Sequence, residues 1–222
     1  MQRMSKEIFR IKCKALLKDA AKRRYALDKK WLKNITAILK SYKNILMFLS
    51  MPIEPNTKPL INWARKKNKN IFVPLTLNRS FKMVPYRLPL KNGQFNIKTC
   101  GNSLKLNSKI DLAVVPILGI DGTFRRIGFG KGFYDRFFGS LKQKPKIVFT
   151  QRILTLSKQL VTKDYDTKAD CIVTSQGFFY KGQVKGVDRI ISYRNSNSRH
   201  RISDCKKDGC VQIRHFHRAS KV

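Results

Sequence analysis

The sequence predicts an α/β fold: a three-layer α/β/α domain on a central, mostly parallel sheet, followed by a basic C-terminal tail. Two patterns carry that expectation, stretches with helical apolar spacing and short apolar runs that alternate with them. Residues 5–18 place Ile8, Ile11, Ala15 and Leu16 at helical spacing, and residues 27–42 do so with Leu27, Trp31, Leu32, Ile35, Ile38 and Leu39. Apolar runs follow at 45–49, 71–75, 112–115, 147–149 and 171–173. Each is bounded by proline, polar or charged residues, as strands buried on both faces would be. Helical segments at 57–67 and 132–142 fall between some of them. Residues 86–110 carry weaker strand signals around Lys91, Asn92 and Gly93, which predict a hairpin or loop insertion. After about Ser175 the pattern changes, and the stretch SYRNSNSRHR has neither strand nor helix period. The expected division is an α/β domain over 1–177 and a basic, flexible extension over 178–222.

Composition narrows the class. With 222 residues and 42% hydrophobic content, the chain is long enough for one sizeable core. No apolar run reaches the length of a membrane span, and the basic N-terminus lacks a signal-peptide core, so a cytoplasmic protein without membrane contact is expected. Cys13, Cys100, Cys171, Cys205 and Cys210 are scattered and odd in number, a poor disulfide framework, and are read as reduced thiols. The net charge of +35 comes from 48 Lys+Arg against 13 Asp+Glu, spread along the chain. Such a field attracts anions, including nucleic acid in a nonspecific way.

The segment RRIGFGKGFYDR from Arg125 to Arg136 concentrates glycines, cations, aromatics and one carboxylate. Gly128, Gly130 and Gly132 alternate with Phe129 and Lys131, so backbone N–H groups can approach an anion closely. Arg126 and Lys131 add charge, and FYDRFF reads as the first turn of a helix whose N-terminus favours phosphate. Asp135 stands apart; a carboxylate among cations suits a Mg²⁺-nucleotide. The spacing is not that of a dinucleotide fingerprint, because Phe133 stands at the third glycine position. It is not a Walker-A loop either, because Gly132 follows Lys131. A loop whose glycines merely pack is the ordinary alternative.

With these residues, GTFRRIGFGKGFYDRFF resembles the G-x-R-x-G-x-G-x-G-[YF]-Y-D-R signature of the 5-formyltetrahydrofolate cyclo-ligase (methenyltetrahydrofolate synthetase) family. Other segments agree in order. KEIFR, with Lys6 and Arg10, resembles the N-terminal K-x-x-L-R pair; SMPIEPNT resembles the substrate segment; DLAVVP resembles the strand before the glycine loop; YDTKADCIVT resembles the closing motif. The likeness spans about residues 5 to 175.

The resemblance implies an ATP-driven ligase of folate one-carbon metabolism that converts 5-formyltetrahydrofolate to 5,10-methenyltetrahydrofolate. Its γ-phosphoryl group activates the formyl oxygen, and N10 closes the ring. It implies ATP and Mg²⁺ as cofactors. Lys6, Arg10 and the loop Arg126, Ile127, Gly128, Phe129, Gly130, Lys131, Gly132, Phe133 and Tyr134 would hold the nucleotide. Arg126, Lys131 and Tyr134 would abut the transferred group, and Asp135 and Asp166 would be the metal ligands. For the folate it implies Met51, Glu54, Asn56 and Phe133, with Thr57 capping the next helix.

The chain departs from the family at Asn56, where an acidic residue is usual, and at Thr99-Cys100, where Glu-Pro is frequent. In the tail, Cys205, Cys210, His215 and His217 are of zinc-binding types, but C-x4-C-x4-H-x-H is not a standard finger. The alternatives from other classes are a nucleic-acid-binding module that uses the positive surface, and another phosphate-binding enzyme on the same scaffold. A monomer is expected.

Overall fold

The computed structural model describes residues 5–77, 80–92, 98–100, 109–157 and 159–180. It begins with helix α1 (Lys6–Lys22), capped by Ser5, whose hydroxyl accepts from Ile8 N at 3.2 Å. The buried stripe of α1 is Phe9, Cys13, Leu17 and Ala20, whereas Ile8 and Ile11 are 40% and 70% exposed. The helix carries two apolar stripes, and the one with the large aromatic side chain faces inward. There Phe9, Cys13 and Leu17 join Leu118, Ile127 and Ile153 in one cluster.

Helix α2 (Arg24–Leu39) follows at once and buries Trp31, Ile35 and Leu39 at i, i+4 and i+8. Strand β1 (Asn44–Leu46) covers the front of the expected run at 45–49. Helix α3 (Lys58–Lys66) carries Pro59 in its first turn, where a missing N–H costs nothing. Thr57 occupies its N-cap position without a side-chain cap bond; Asn56 Oδ1 accepts from Lys58 N at 3.1 Å instead. Strands β2 (Asn70–Leu77) and β3 (Ser80–Pro85) pair antiparallel. β4 (Lys91–Asn92) and β5 (Lys98–Thr99) form a small antiparallel pair inside the expected insertion.

The remaining elements are β6 (Leu112–Pro116), β7 (Gly119–Asp121), β8 (Arg126–Ile127), α4 (Phe133–Ser140), β9 (Lys146–Thr150), β10 (Leu156–Ser157), β11 (Cys171–Thr174) and β12 (Gly177–Tyr180). The main sheet has the order β12-β11-β9-β6-β1-β2-β3. Its five inner strands are parallel, and β3 and β12 are antiparallel edges. The expected mostly parallel sheet is present. Neither edge strand is among the apolar runs expected from the sequence: β3 interleaves Phe81 and Val84 with Ser80 and Lys82, and β12 is the short return strand of a hairpin at the very end of the expected domain.

Period-two alternation builds the three layers. Leu112 and Val114 face Trp31, Ile35, Leu60 and Ala64 from α2 and α3. Ala113 and Val115 face Phe137 and Phe138 from α4. A second sheet, β10-β7-β8, carries the chain from the end of β6 into the glycine loop beneath α1. Residues 178–180 of the expected extension lie in β12; the rest of it, with Cys205, Cys210, His215 and His217, is outside the described residues. Among the described residues, no helix is long and apolar enough to cross a membrane.

Gly119, at the start of β7, is where α1 meets the sheet. A methyl group there would stand 2.7 Å from Phe9 Cε1, 2.8 Å from Thr155 Oγ1 and 2.9 Å from the Thr155 carbonyl. Gly119→Ala should therefore cost about 1–3 kcal/mol, read as a lower denaturation midpoint. A wild-type midpoint would mean that α1 yields without loss of packing.

Candidate active site

Parallel strands deliver their loops to one edge, and most of the sequence-predicted residues gather there from four parts of the chain. Lys6 and Arg10, one turn apart on α1, reach in different directions. Lys6 Nζ lies 2.7 and 2.6 Å from the two oxygens of Asp166. Arg10 Nε donates to the Gly128 carbonyl at 2.9 Å, and its Nη1 donates to Glu7 at 3.0 Å. Helix α1 thus clasps both the glycine loop and the turn that carries Asp166.

The loop glycines serve different needs. Gly130 and Gly132 have φ of 104° and 65°, the left-handed region that side chains resist. At Gly128 the requirement is space, because a Cβ would overlap the Arg126 guanidinium folded beside it. Arg126 is 5% exposed, and its Nε and Nη1 have no hydrogen-bond partner among the described residues. Its guanidinium sits over the Tyr134 ring, 5.0 Å from the centroid. Asp135, in the first turn of α4, accepts from Thr167 N at 3.0 Å through Oδ1.

Two cavities meet at this loop. The polar one, about 880 Å³, is lined by Lys6, Arg10, Gly128, Gly130, Asp135 and Asp166, and also by Lys163 and Tyr165. The apolar one, about 250 Å³, is lined by Phe48, Met51, Glu54, Phe129, Phe133 and Tyr134 among others. Arg126, Lys131 and Gly132 border both. Two predicted residues line neither. Ile127 is core, its carbonyl accepting from Leu118 N, and Asn56 is exposed at the head of α3.

Glu54 is the buried carboxyl of the apolar cavity, 5% exposed, with Oε2 accepting from Met51 N at 2.8 Å. Burial raises its pKa from 4.5 to about 7, although the Met51 bond and the Arg126 and Arg152 charges pull it down. Burial also pushes up the neighbouring Tyr134 hydroxyl, reinforced by the charge of Glu54.

Two supporting residues were not identified from the sequence. Arg152 donates to Asp28 at 2.7 and 3.1 Å and to the Pro52 carbonyl at 2.8 Å, which fixes the turn that presents Met51 and Glu54. An arginine inside an apolar stretch is the available signal, since a buried charge needs a partner. Asp121 accepts from the backbone and hydroxyls of Thr123 and Thr162 and from Val161 N, tying down the wall of the polar cavity. Burial pushes its carboxyl up, but these bonds more than offset that and hold it below the ordinary value.

The donor set fits a Mg²⁺-nucleotide. Asp135 and Asp166 face one cavity from separate elements, and Mg²⁺ is bound by one or two carboxylates with phosphate oxygens and water completing its shell. Among the described residues no group of three or more His, Cys, Asp or Glu could form an all-protein cage.

The model of the 5-formyltetrahydrofolate cyclo-ligase family matches residues 2–175. The chain belongs to that family. It is similar to a probable 5-formyltetrahydrofolate cyclo-ligase of Schizosaccharomyces pombe, 27% identical over 159 residues that cover 62% of this chain and 77% of that protein. The 5-formyltetrahydrofolate cyclo-ligase of Haemophilus influenzae is 32% identical over 111 residues, 46% of this chain and 59% of that one. In fold, this cyclo-ligase family member is similar to the 5,10-methenyltetrahydrofolate synthetase of Aquifex aeolicus, with a TM-score of 0.67 at 22% identity over 86% of this chain and all of that one. The corresponding synthetase of Mycoplasma pneumoniae gives 0.60 at 18% identity, covering 78% and 99%.

Gly128→Ala should eject the Arg126 guanidinium while leaving the core intact, lowering kcat/KM by about 100-fold with a near-normal melting temperature. Full activity would show that Arg126 need not lie under the loop. Glu54 makes a pH-dependent prediction. As pH rises from about 4.5, the unfolded chain loses the Glu54 proton while the folded state keeps it to about 7, so stability is lost across that window. Relative to Glu54→Gln, the wild type should lose on the order of 3 kcal/mol between pH 4 and about 8. A pH-independent difference would mean that the carboxyl is solvated.

Proposed function

We propose that this cyclo-ligase converts 5-formyltetrahydrofolate to 5,10-methenyltetrahydrofolate with hydrolysis of ATP, the γ-phosphoryl group activating the formyl oxygen and N10 closing the ring. The observation that carries this reading is the shared wall of the two cavities. A polar cavity rich in cations adjoins an apolar one with a buried carboxyl, and Arg126, Lys131 and Gly132 stand between them. A phosphate donor on one side and a flat aromatic acceptor on the other would bring their reacting groups together at these residues.

In this reading the protein acts by positioning and charge, which is what phosphoryl transfer asks of an enzyme. Lys6 and Arg10 on α1 face the loop that carries Lys131, so a triphosphate between them is gripped from two sides. Asp135 and Asp166 would hold Mg²⁺, which when bound neutralises charge on the phosphates. Lys6 then exchanges its contact with Asp166 for a phosphate oxygen. The two unpartnered nitrogens of Arg126 supply donors at the junction, where charge moves as the phosphoryl group crosses. Glu54 accepts the N–H donors of the pterin edge, and those bonds favour its ionised form. Phe133 and Tyr134 border the ring site and exclude water.

No protein nucleophile is required. The described cysteines are buried and poor candidates, because burial pushes the Cys13 thiol up to about 12 and the Cys171 thiol up to about 11.

Purified protein should form methenyltetrahydrofolate from 5-formyltetrahydrofolate, followed by absorbance, only with ATP and Mg²⁺ present. Asp135→Asn should reduce the rate by about 100-fold or more with the fold retained, since the amide keeps the size but not the charge. Turnover without ATP, or an Asp135→Asn enzyme of normal rate and Mg²⁺ dependence, would contradict the reading.

A further inference from the structure

The polar cavity has a second wall that the phosphate contacts leave unused. Lys6, Arg10 and the glycine loop form one side, and the chain from Leu160 to Asp166 forms the other. A cavity of about 880 Å³ takes a ligand of drug size, with a body as well as a charged end. Leu160 and Tyr165 stand on this second wall, and each is 68% exposed. The other large apolar side chains exposed among the described residues, Ile8, Ile11, Tyr25, Leu77 and Leu88, lie outside the cavity. A single exposed apolar residue needs no explanation, but a phenol ring and a leucine displayed together in a cation-rich cavity do.

The wall is fixed from behind. Asp121 accepts from Val161 N at 3.0 Å and from Thr162 N at 2.8 Å, and Asp166 Oδ2 accepts from Lys163 N at 2.6 Å. Asp166 N closes the turn on the Lys163 carbonyl at 3.0 Å. The backbone is thus set in place while Leu160 and Tyr165 stay open, so little ordering entropy is lost when a ligand meets them. Two cations attend the ring, Lys6 Nζ at 5.8 Å and Lys163 Nζ at 5.9 Å from its centroid. Lys6 also holds Asp166, 2.6 Å away. It therefore links the carboxylate proposed to hold the metal with an aromatic ring, in the order in which a nucleotide presents its phosphates and its base.

We propose that the wall from Leu160 to Tyr165 seats the base of the nucleotide, with the Tyr165 ring stacked on the base and Leu160 packed against it. This rests on the proposed use of ATP and assigns a place to the part of that ligand which does no chemistry. Stacking suits the task, since a base has a π face that an aromatic side chain can cover even at a partly open site. The seat makes the cavity selective for a polyphosphate that carries a base over a bare polyphosphate, and Tyr165 is the residue that reads the difference.

The test uses full-length wild type, Tyr165→Phe and Tyr165→Ala, with melting temperature confirming that all three are folded. Each is titrated in a calorimeter with ADP in the presence of Mg²⁺ and, separately, with inorganic tripolyphosphate. Tyr165→Ala should weaken ADP binding by about 10-fold or more, the loss of one stacked ring, and leave tripolyphosphate binding unchanged. Tyr165→Phe should bind both as the wild type does. In the absorbance assay, Tyr165→Ala should raise KM for ATP with kcat and KM for 5-formyltetrahydrofolate nearly unchanged, because a contact remote from the transferred group holds ground and transition states alike. Equal weakening of ADP and tripolyphosphate would show that the ring acts only through Lys6, and would overturn the proposal. A Tyr165→Ala protein that binds ADP normally would overturn it while leaving the ATP reading intact; a wild type that binds neither ligand would overturn both.

Discussion

Arg126 brings a full positive charge into a position with 5% exposure and leaves two of its nitrogens without partners among the described residues, and the glycine loop is shaped around that fact. An unsatisfied buried cation is expensive, so the surroundings must lower the cost without consuming the donors. Tyr134 does this with its ring face, and Glu54 does it through its nearby charge. Gly128 does it by omission, since any side chain there would take the space of the guanidinium. In the proposed function that deficit is put to use, because a ligand that brings anionic oxygen to the junction would repay the desolvation already spent.

Around that junction, ion pairs between distant parts of the chain set the walls. Lys6 and Asp166 are 160 residues apart in sequence, and Asp28 and Arg152 are 124 apart, yet each pair meets at hydrogen-bond distance. The first seats α1 over the loop; the second holds the turn before α3 against the end of β9. Breaking the buried Arg152 pair strands a charge, so its worth lies in geometry more than in net stability.

The layers of the fold were legible because both periods are strong. Trp31, Ile35 and Leu39 repeat every four residues, and the apolar runs at 112–115 and 147–149 are continuous because both faces of those strands are covered. The inward stripe of α1 was misread, because Ile8 and Ile11 are as apolar as Cys13 and only the tertiary partner of Phe9 decides between them. The glycine loop was legible as a unit, since its residue types have few other uses at that spacing. Asn56 shows the limit: local sequence put it beside Glu54, whereas the turn points it to the helix head and out of both cavities. Arg152 and Asp121 carry no motif, and their roles exist only once remote segments are folded together.

The central claim is that the two cavities exchange a phosphoryl group across Arg126. It is tested most directly with 5-formyltetrahydrofolate that carries heavy oxygen in its formyl group. In a single turnover with unlabelled ATP in ordinary water, the account predicts that the label leaves in the released inorganic phosphate. Unlabelled phosphate, with the heavy oxygen recovered in water, would mean that the formyl oxygen is never phosphorylated and that the junction does not join the two ligands in chemistry.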